Sequence, residues 1–365
     1  MQVEFFPSRT LTFYLARLFV TRIIAVLLML VMVLQLLDLL GESGDILAYA
    51  GNGEPELFKY ATLRTPQLIA RFLPYSVLLA TIITLAALNQ NSEVIAMKSA
   101  GISAHQLLAP LFLAAAVVSV LSFAFNERVV TRSTATLKAW AAAEYGPIPK
   151  DSGVRSNVYL RDGDNILLAS TLSGSGPGIV MEGVSWYRRD HTGMIVQQIR
   201  SPRATYVGPG WRLEAPNSFD VRTTTTQRLA PLVVAREITP SQVALSSVDA
   251  NSLSIIELSR SISALKVAGR HTAELEGAWW HKISGPLSAL LMPLLGAISA
   301  FGLARSGQLL IRSIMGMALG FAFFVLDNAS LAMGNFGGYP PLVAAWAPFF
   351  LFLLVGETVL VRTEE

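Results

Sequence analysis

The side chains that could do chemistry are few in this sequence and lie far apart. The chain has no cysteine, which excludes disulfide bonds, thiolate metal ligands and thiol nucleophiles. Its four histidines, at positions 105, 191, 271 and 281, are too widely separated to predict a metal cluster. Phosphate-binding loops, serine-hydrolase elbows and zinc-peptidase helices have no counterpart in the sequence. The residues therefore predict no catalytic set, no metal site and no bound cofactor.

One short polar segment, at about 89–103, has the composition of a docking helix between two apolar runs. Ser92 or Asn91 can cap its start, Glu93 lies in its first turn, and Gly101 is a plausible stop. A carboxylate at a helix start can accept a charge-assisted hydrogen bond from a basic residue of a partner. A capped turn with a solvated Glu93 fits the same pattern equally well. The candidate contact residues are Ser92, Glu93, Val94, Met97, Ala100 and Gly101.

Three polar side chains lie within or beside long apolar runs. Gln35 and Asp38 are near the end of the first run, and Arg71 is near one end of the second. A polar group at such a position is either solvated at the membrane interface or faces a cavity between helices. The interface is the favoured interpretation for Gln35 and Asp38. All three residues are candidates for a lipid cavity or gate.

Small and aromatic residues alternate in a later apolar run. Gly316 and Gly320 have the spacing that lets helices approach closely, and packing within the chain is favoured over a subunit interface. Phe321 and Phe324 either face the lipid without a specific role or line an apolar cavity. These four residues complete the candidate cavity or gate set.

The elements that must position these residues are membrane helices. Of 365 residues, 52% are hydrophobic and only 15% are charged, and the mean hydropathy is +0.50. A helix needs about 20 residues to cross a bilayer. Asp327 and Asn328 interrupt the fifth predicted span, and a polar connection at 41–66 separates the first two. The predicted spans are 18–40, 69–88, 107–125, 283–303, 312–326 and 341–361.

A long polar island, at 126–277, separates the first three spans from the last three. Its first residues, 126–145, continue the third span as a helix. After them come short alternating runs separated by turns rich in glycine and proline, which indicate an antiparallel sandwich or jelly roll. The predicted strands are 154–160, 165–170, 179–187, 194–199, 204–207, 211–215 and 219–229.

The predicted fold class is therefore a polytopic α-helical membrane protein with six transmembrane helices and one inserted domain. An extracytoplasmic antiparallel β domain, like a jelly roll, lies between the third and fourth helices. The division along the chain is 1–125, 126–277 and 278–365.

Basic residues predict that both termini are cytoplasmic. Of the basic residues, only Lys59 and Arg64 lie in the predicted short loops on the outer side. The opposite side has an excess of arginine and lysine, at 9, 17, 22, 98, 305, 312 and 362. The island is then periplasmic in a bacterium with two membranes. The sequence contains no dense basic block of the kind that would predict nucleic-acid binding.

The chain resembles the LptF/LptG family, the permease subunits of the lipopolysaccharide exporter. The resemblance covers nearly the whole length and rests on three local motifs. The last two motifs, and the absence of a Pro-Arg-x-Gly-Arg loop before the fifth span, favour the LptG branch over the LptF branch. The motifs are Ser92-Glu-Val94 with Met97 and Ala100-Gly101, Trp280-His-Lys-Ile283 with Pro286-Leu-Ser288, and the run from Gly316 to Asp327.

The resemblance implies a non-catalytic permease in an ABC exporter of the inner membrane. Its implied partners are a cytoplasmic ATPase dimer (LptB), a paired permease (LptF) and a membrane-anchored periplasmic bridge protein (LptC). Lipopolysaccharide would enter between the first and fifth spans of opposing subunits and pass to the periplasmic β domains after ATP-driven closure. Glu93 matches the family's coupling glutamate.

One departure from the family and one alternative function remain. Family members can carry lysines near Gln35 and Asp38, associated with the lipid's phosphates, and this chain has none there. Arg64 and Arg71 are the candidates to substitute. The alternative is a structural or signalling membrane protein whose periplasmic domain binds a partner.

Overall fold

The computed structural model describes residues 6–147, 155–173, 178–190, 192–221, 223–240, 243, 249–267, 272–297 and 309–364. Nine α-helices and one π-helical turn fall within these ranges. The first five helices are α1 (Arg9–Ala48), α2 (Glu54–Gln90), α3 (Glu93–Ser99), α4 (Ala104–Phe125) and α5 (Thr131–Ala142), with the π-turn at Asn126–Val130. The last four are α6 (Ile255–Val267), α7 (Ala273–Ala297), α8 (Leu309–Asn335) and α9 (Pro341–Glu364).

The long hairpin of α1 and α2 corrects the predicted polar connection at 41–66. Both helices continue through this segment, and only 49–53 separate them. The polar residues stay helical because an apolar cluster beyond the predicted spans packs α1 and α2 against α5. Asn52 also closes the hairpin, since its amide donates hydrogen bonds to the carbonyls of Ile46, at 2.8 Å, and Tyr145, at 2.9 Å. The cluster consists of Ile46, Tyr60, Leu137, Trp140 and Tyr145.

Five helices in the described part of the chain are long and apolar enough to cross a membrane. They correspond to all the predicted spans except the fourth, 283–303. That span falls on α7, which the structure describes only as far as Ala297. The total of six spans therefore stays a prediction.

The predicted interruption of the fifth span at Asp327 and Asn328 is wrong. The helix α8 runs through both residues to Asn335. Asn328 donates a side-chain hydrogen bond to the carbonyl of Phe324 one turn earlier, at 2.7 Å. Asp327 faces His281 of α7. Neither polar group competes with the helix, because each has a partner inside the helix or beside it.

The helix α7 is at the centre of the bundle, in contact with α2, α4, α8 and α9. Its second half is almost wholly buried, from Ser288 to Ala297 except at Leu290. The main apolar core combines residues of α1, α2, α3, α4, α7, α8 and α9. Residues in this core therefore link all the candidate spans of the described chain.

The β domain is an antiparallel sheet between α5 and α6, as predicted. The strands follow the order β1-β2-β3-β4-β5-β8, and β6 joins β4 to β7. They are β1 (Arg155–Asp162), β2 (Asn165–Ser173), β3 (Val180–Arg189), β4 (Ile195–Tyr206), β5 (Trp211–Glu214), β6 (Asn217–Asp220), β7 (Thr225–Arg228) and β8 (Leu232–Val234).

The strand β4 unites two predicted strands, 194–199 and 204–207. It pairs with β6 through 197–200 and with β5 through 203–206, so its partner changes near Pro202. A proline has no N–H to give to a ladder, and this gap between partners is where one is tolerated. The Ser201 hydroxyl lies within hydrogen-bond distance of the Arg203 and Glu214 carbonyls and fills the gap.

The predicted strand 219–229 is instead parts of β6 and β7. The chain reverses between them, and Thr224 has a left-handed φ of 53°. Asp220 stabilises this turn by accepting a hydrogen bond from the Thr223 amide, at 3.1 Å. The threonine run therefore forms a turn and the start of an edge strand.

Candidate coupling and cavity sites

The two-turn helix α3 connects α2 to α4 at the end of α2 opposite the β domain. It starts later than the predicted segment, because Asn89 and Gln90 still belong to α2. Ser92 is at the N-cap position with a φ of 61°, but its side chain makes no capping hydrogen bond. Gly101 ends the helix as predicted, with its φ of 85° in the left-handed region. The amides of Gly101 and Ile102 close the end on the carbonyls of Lys98 and Met97.

The six candidate coupling residues divide between two faces of α3. Val94 and Met97 are buried in the helical core, with 4% and 9% of their surface exposed. Ser92, Ala100 and Gly101 are exposed. Two of the six residues predicted for docking therefore belong to the chain's own core. That core fixes the position of α3 and leaves the other face accessible.

Ile95 also lies on the accessible face, although it is not among the residues predicted from the sequence. Its side chain is 54% exposed. The sequence does contain a signal for Ile95. It is a β-branched apolar residue in a polar segment, and helical spacing places it on a different face from Val94 and Met97. Such an exposed apolar residue on an otherwise polar helix face can anchor a contact with a second protein.

Glu93 is half-buried and is held by α1. The Tyr14 hydroxyl donates a hydrogen bond to its Oε2 atom at 3.1 Å, and the Asn91 amide is 3.4 Å from Oε1. The contact with Tyr14 was not predictable from local sequence, because this residue is 79 positions away. The carboxylate is thus oriented at the edge of the accessible face of α3.

Asp38 forms a polar cluster with α2 in place of the predicted solvated position. Arg64 donates from Nε and Nη2 to the two carboxylate oxygens, each at 2.9 Å. The Tyr60 hydroxyl donates to Asp38 at 2.6 Å. Gln35 accepts from Thr65 at 3.2 Å one turn away. The side chains of Arg64 and Asp38 are only 29% and 22% exposed, so the charge of Arg64 is largely neutralised within the chain.

Arg71 differs from Arg64 in its surroundings. Its side chain is exposed, and within the described residues no carboxylate forms an ion pair with it. The guanidinium lies 6.0 Å from the centroid of the Phe72 ring, at the outer limit of a cation–π contact. Arg71 is therefore a cation near the Asp38 cluster that remains open to an external anion.

The glycine face of α8 packs inside the chain. A Cβ atom on Gly320 would overlap the side chain of Leu78 in α2, and one on Gly316 would lie 3.4 Å from the Leu295 carbonyl of α7. Phe324 is also internal, stacked on Tyr75 with ring centroids 3.7 Å apart. Phe321 is 62% exposed and points away from the bundle. Of these four candidates, only Phe321 is on an open surface.

Two of the sequence motifs meet near the β-domain end of α7. His281 and Asp327, which belong to different motifs, approach to 3.9 Å between Nδ1 and Oδ2. The next residue, Lys282, forms an ion pair with Glu127 of the π-turn at 3.2 Å. Neither pair was predicted from the sequence, because the partners are distant in the chain. Among the described residues no group of three or more histidine or acidic side chains could hold a metal.

Comparisons with known proteins show which family this chain is similar to. The family model described as "Lipopolysaccharide export system permease LptF/LptG" matches residues 13–362. The chain is 25% identical to the lipopolysaccharide export system permease protein LptG of Escherichia coli K12 over 366 residues, 98% of this chain and 99% of that protein. It is 24% identical to the Haemophilus influenzae protein of the same name over 325 residues, 86% and 89% of the two chains.

Proposed function

The chain belongs to the LptF/LptG family of lipopolysaccharide export system permeases, and from this premise we propose that it couples ATP hydrolysis in a partner to lipid extraction. It is a multi-pass protein of the inner membrane. Within the proposed complex it would have no catalytic role of its own. A cytoplasmic ATPase dimer (LptB) would supply the energy, and a second permease (LptF) would complete the lipid cavity.

The observation that carries this proposal is the anchoring of α3. Its buried side, with Val94 and Met97, is continuous with the core of the membrane helices. Its accessible side presents Ile95 and the edge of Glu93. A force applied to the accessible side would therefore move α2 and α4 with α3. This is what a coupling helix between an ATPase and a permease requires. The proposal places α3 and both termini in the cytoplasm.

The lipid pathway is proposed on the exposed apolar faces of α1 and α8. Many large apolar side chains of these two helices are open, and neither face is covered by another described element. Moving a lipid chain from the bilayer to water costs about 0.8 kcal/mol per CH2 group, so a multi-chain lipid needs an apolar route and an energy source. The exposed residues include Leu28, Met32 and Leu36 of α1 and Ile314, Phe321 and Val325 of α8.

The β domain would receive the lipid after it leaves the membrane. Its sheet buries an apolar cluster, which includes Trp211, Leu213 and Met181. A periplasmic bridge protein with a membrane anchor (LptC) is the proposed next component. In this proposal the energy input is at α3 and the exit for lipid is at the opposite end of α2.

The decisive experiment is Glu93→Ala in the complex with LptB and LptF. We expect this variant to lose most ATP-dependent lipopolysaccharide release from proteoliposomes, since the oriented carboxylate at the α3 contact is removed. Tyr14→Phe should cause a smaller loss, because Glu93 remains but is less well oriented. Glu54→Ala, at an exposed carboxylate near the other end of α2, is the control and should behave like wild type. Normal assembly and release by Glu93→Ala would exclude the coupling role.

A further inference from the structure

A single carboxylate joins the three chain segments that connect the β domain to the membrane helices. Glu127 lies in the π-turn after α4, just beyond the predicted third span, 107–125. Its Oε2 atom accepts a hydrogen bond from the Ile255 amide at the start of α6, at 2.6 Å. Its Oε1 atom accepts from Lys282 of α7 at 3.2 Å. The departing segment, the returning segment and the re-entering helix are thus held at one point.

This contact is buried and has good electrostatic complementarity. The Lys282 and Glu127 side chains are only 8% and 14% exposed. The amide at Ile255 is at the positive end of the α6 dipole, which also favours a carboxylate. An apolar pair of similar volume is often at least as stable as a buried ion pair. Stability alone therefore does not explain why an ion pair is present at this junction, and its role is sought in the geometry of the junction.

The π-turn that carries Glu127 gives this junction a distinct backbone. Its last residues hydrogen-bond five positions back, as the Thr131 amide does to the Asn126 carbonyl. The Thr131 hydroxyl also caps the Glu127 carbonyl at 2.8 Å. Single π-turns inside α-helices occur frequently at functional sites. Here the turn directs the Glu127 side chain towards α6 and α7.

A neighbouring side of α7 faces α8, the helix that carries four of the candidate cavity or gate residues. His281, the residue before Lys282, lies 3.9 Å from Asp327 of α8, and that aspartate side chain is only 13% exposed. Successive residues of α7 thus contact α8 and the stem of the β domain, which we define as the π-turn, α5 and residues 249–267. The exposed Phe321 is on the same helix as Asp327, less than two turns away. A movement of α8 would therefore reach the β domain through one short stretch of α7.

We propose that Glu127 and Lys282 form a joint through which α7 transmits movement of the membrane helices to the β domain. Glu127 is a positioning residue in this joint, and Asp327 and His281 connect it to α8. The inference rests on the proposed transport function. It adds a specific route from the lipid cavity to the domain that receives the lipid.

The test compares Glu127→Gln, Lys282→Met and the double variant in the reconstituted complex with fluorescent lipopolysaccharide. Each single change leaves one buried partner without its complement, and we expect poor assembly. The double variant removes both charges and should assemble and hydrolyse ATP like wild type. Its lipid transfer per ATP should nevertheless fall by at least about five-fold, the lower end of typical coupling between sites.

A spectroscopic measurement separates transmission from stability. The chain has no cysteine, so Arg212→Cys in β5 and Phe336→Cys after α8 give two unique label positions. Both side chains are exposed. In wild type, spin-label distances between them should change when nucleotide binds to the complex. In the double variant this change should disappear.

The control is an exposed ion pair elsewhere in the stem, between Lys138 of α5 and Asp249, at 2.7 Å. The variant Lys138→Met with Asp249→Asn should transfer lipid normally. The joint is excluded if the Glu127→Gln, Lys282→Met double variant transfers lipid at the wild-type rate per ATP. It is also excluded if that variant fails to assemble, since the pair would then serve folding. Absence of ATP-dependent transfer by the wild-type complex would instead exclude the proposed function.

Discussion

Asp38 and Arg64 face each other across the α1–α2 hairpin, and their geometry determines which cation can meet a lipid headgroup. A bidentate arginine–carboxylate pair satisfies both partners. Arg64 then has little capacity for an external anion. Arg71, on the same helix, is exposed and has no such pair within the described chain. At the scale of single residues, the two arginines therefore have different expected roles.

We expect Arg64→Ala and Arg71→Ala to separate stability from headgroup binding. Arg64→Ala leaves the partly buried Asp38 without its main partner and should destabilise the chain by about 1–3 kcal/mol. Arg71→Ala should leave the melting temperature unchanged but weaken photo-crosslinking to lipopolysaccharide. Tryptophan-monitored thermal unfolding and crosslinking yield would measure the two effects. Equal crosslinking of Arg71→Ala and wild type would remove Arg71 from the headgroup contact.

At the scale of elements, the close approach of α8 to α2 depends on Gly320. A methyl group there would overlap Leu78, whereas one on Gly316 would lie at 3.4 Å from its nearest atom. Gly320→Ala should therefore cost about 1–3 kcal/mol of stability, as overpacking commonly does. Gly316→Ala is the matched control and should cost much less. Thermal unfolding of the purified variants tests this, and equal melting temperatures would contradict it.

The start of α6 gives an element-scale prediction about pH. Hydrogen bonds from the Ser254 amide and hydroxyl lower the pKa of Glu257 below its ordinary value. A lowered folded-state pKa stabilises the helix start above the unfolded pKa of about 4.3, and this stabilisation is lost as pH falls through the folded value. Ser254→Ala should raise the pKa of Glu257.

Carboxyl NMR with labelled glutamate would measure this pKa shift. Ser263→Ala, whose hydroxyl bonds only a backbone carbonyl of the same helix, is the control. An unchanged Glu257 pKa in Ser254→Ala would show that the hydroxyl does not contribute. The stabilisation is present above the ordinary glutamate pKa of about 4.3 and is lost in acid, as the pH falls through the lowered value.

At the scale of the whole molecule, the helix α7 connects regions with different proposed tasks. Its buried half packs against α2, α4, α8 and α9. Its other half holds Lys282 and His281, which contact the stem of the β domain and α8. The energy input proposed at α3 and the exit proposed at the β domain thus lie on elements that share this central helix.

The sequence by itself determined the class of this protein. Three features carry this information: apolar runs long enough for a bilayer, a polar island with strand alternation, and the local motifs. All three are short-range patterns. They determine the class of the protein because they specify which apolar surface is buried. The family and the antiparallel β domain are confirmed. The six-span count and the roles of the candidate residues stay predictions.

Only the tertiary structure decided which side chains meet. Asp38 with Arg64, Glu93 with Tyr14, and Glu127 with Lys282 are pairs whose partners are 26, 79 and 155 residues apart. It also showed that 41–66 is mostly helical and that α8 continues through Asp327. The physical reason is that a polar residue is compatible with a loop, a solvated surface or a buried pair. The choice depends on a partner supplied by a distant part of the chain, which local composition does not specify.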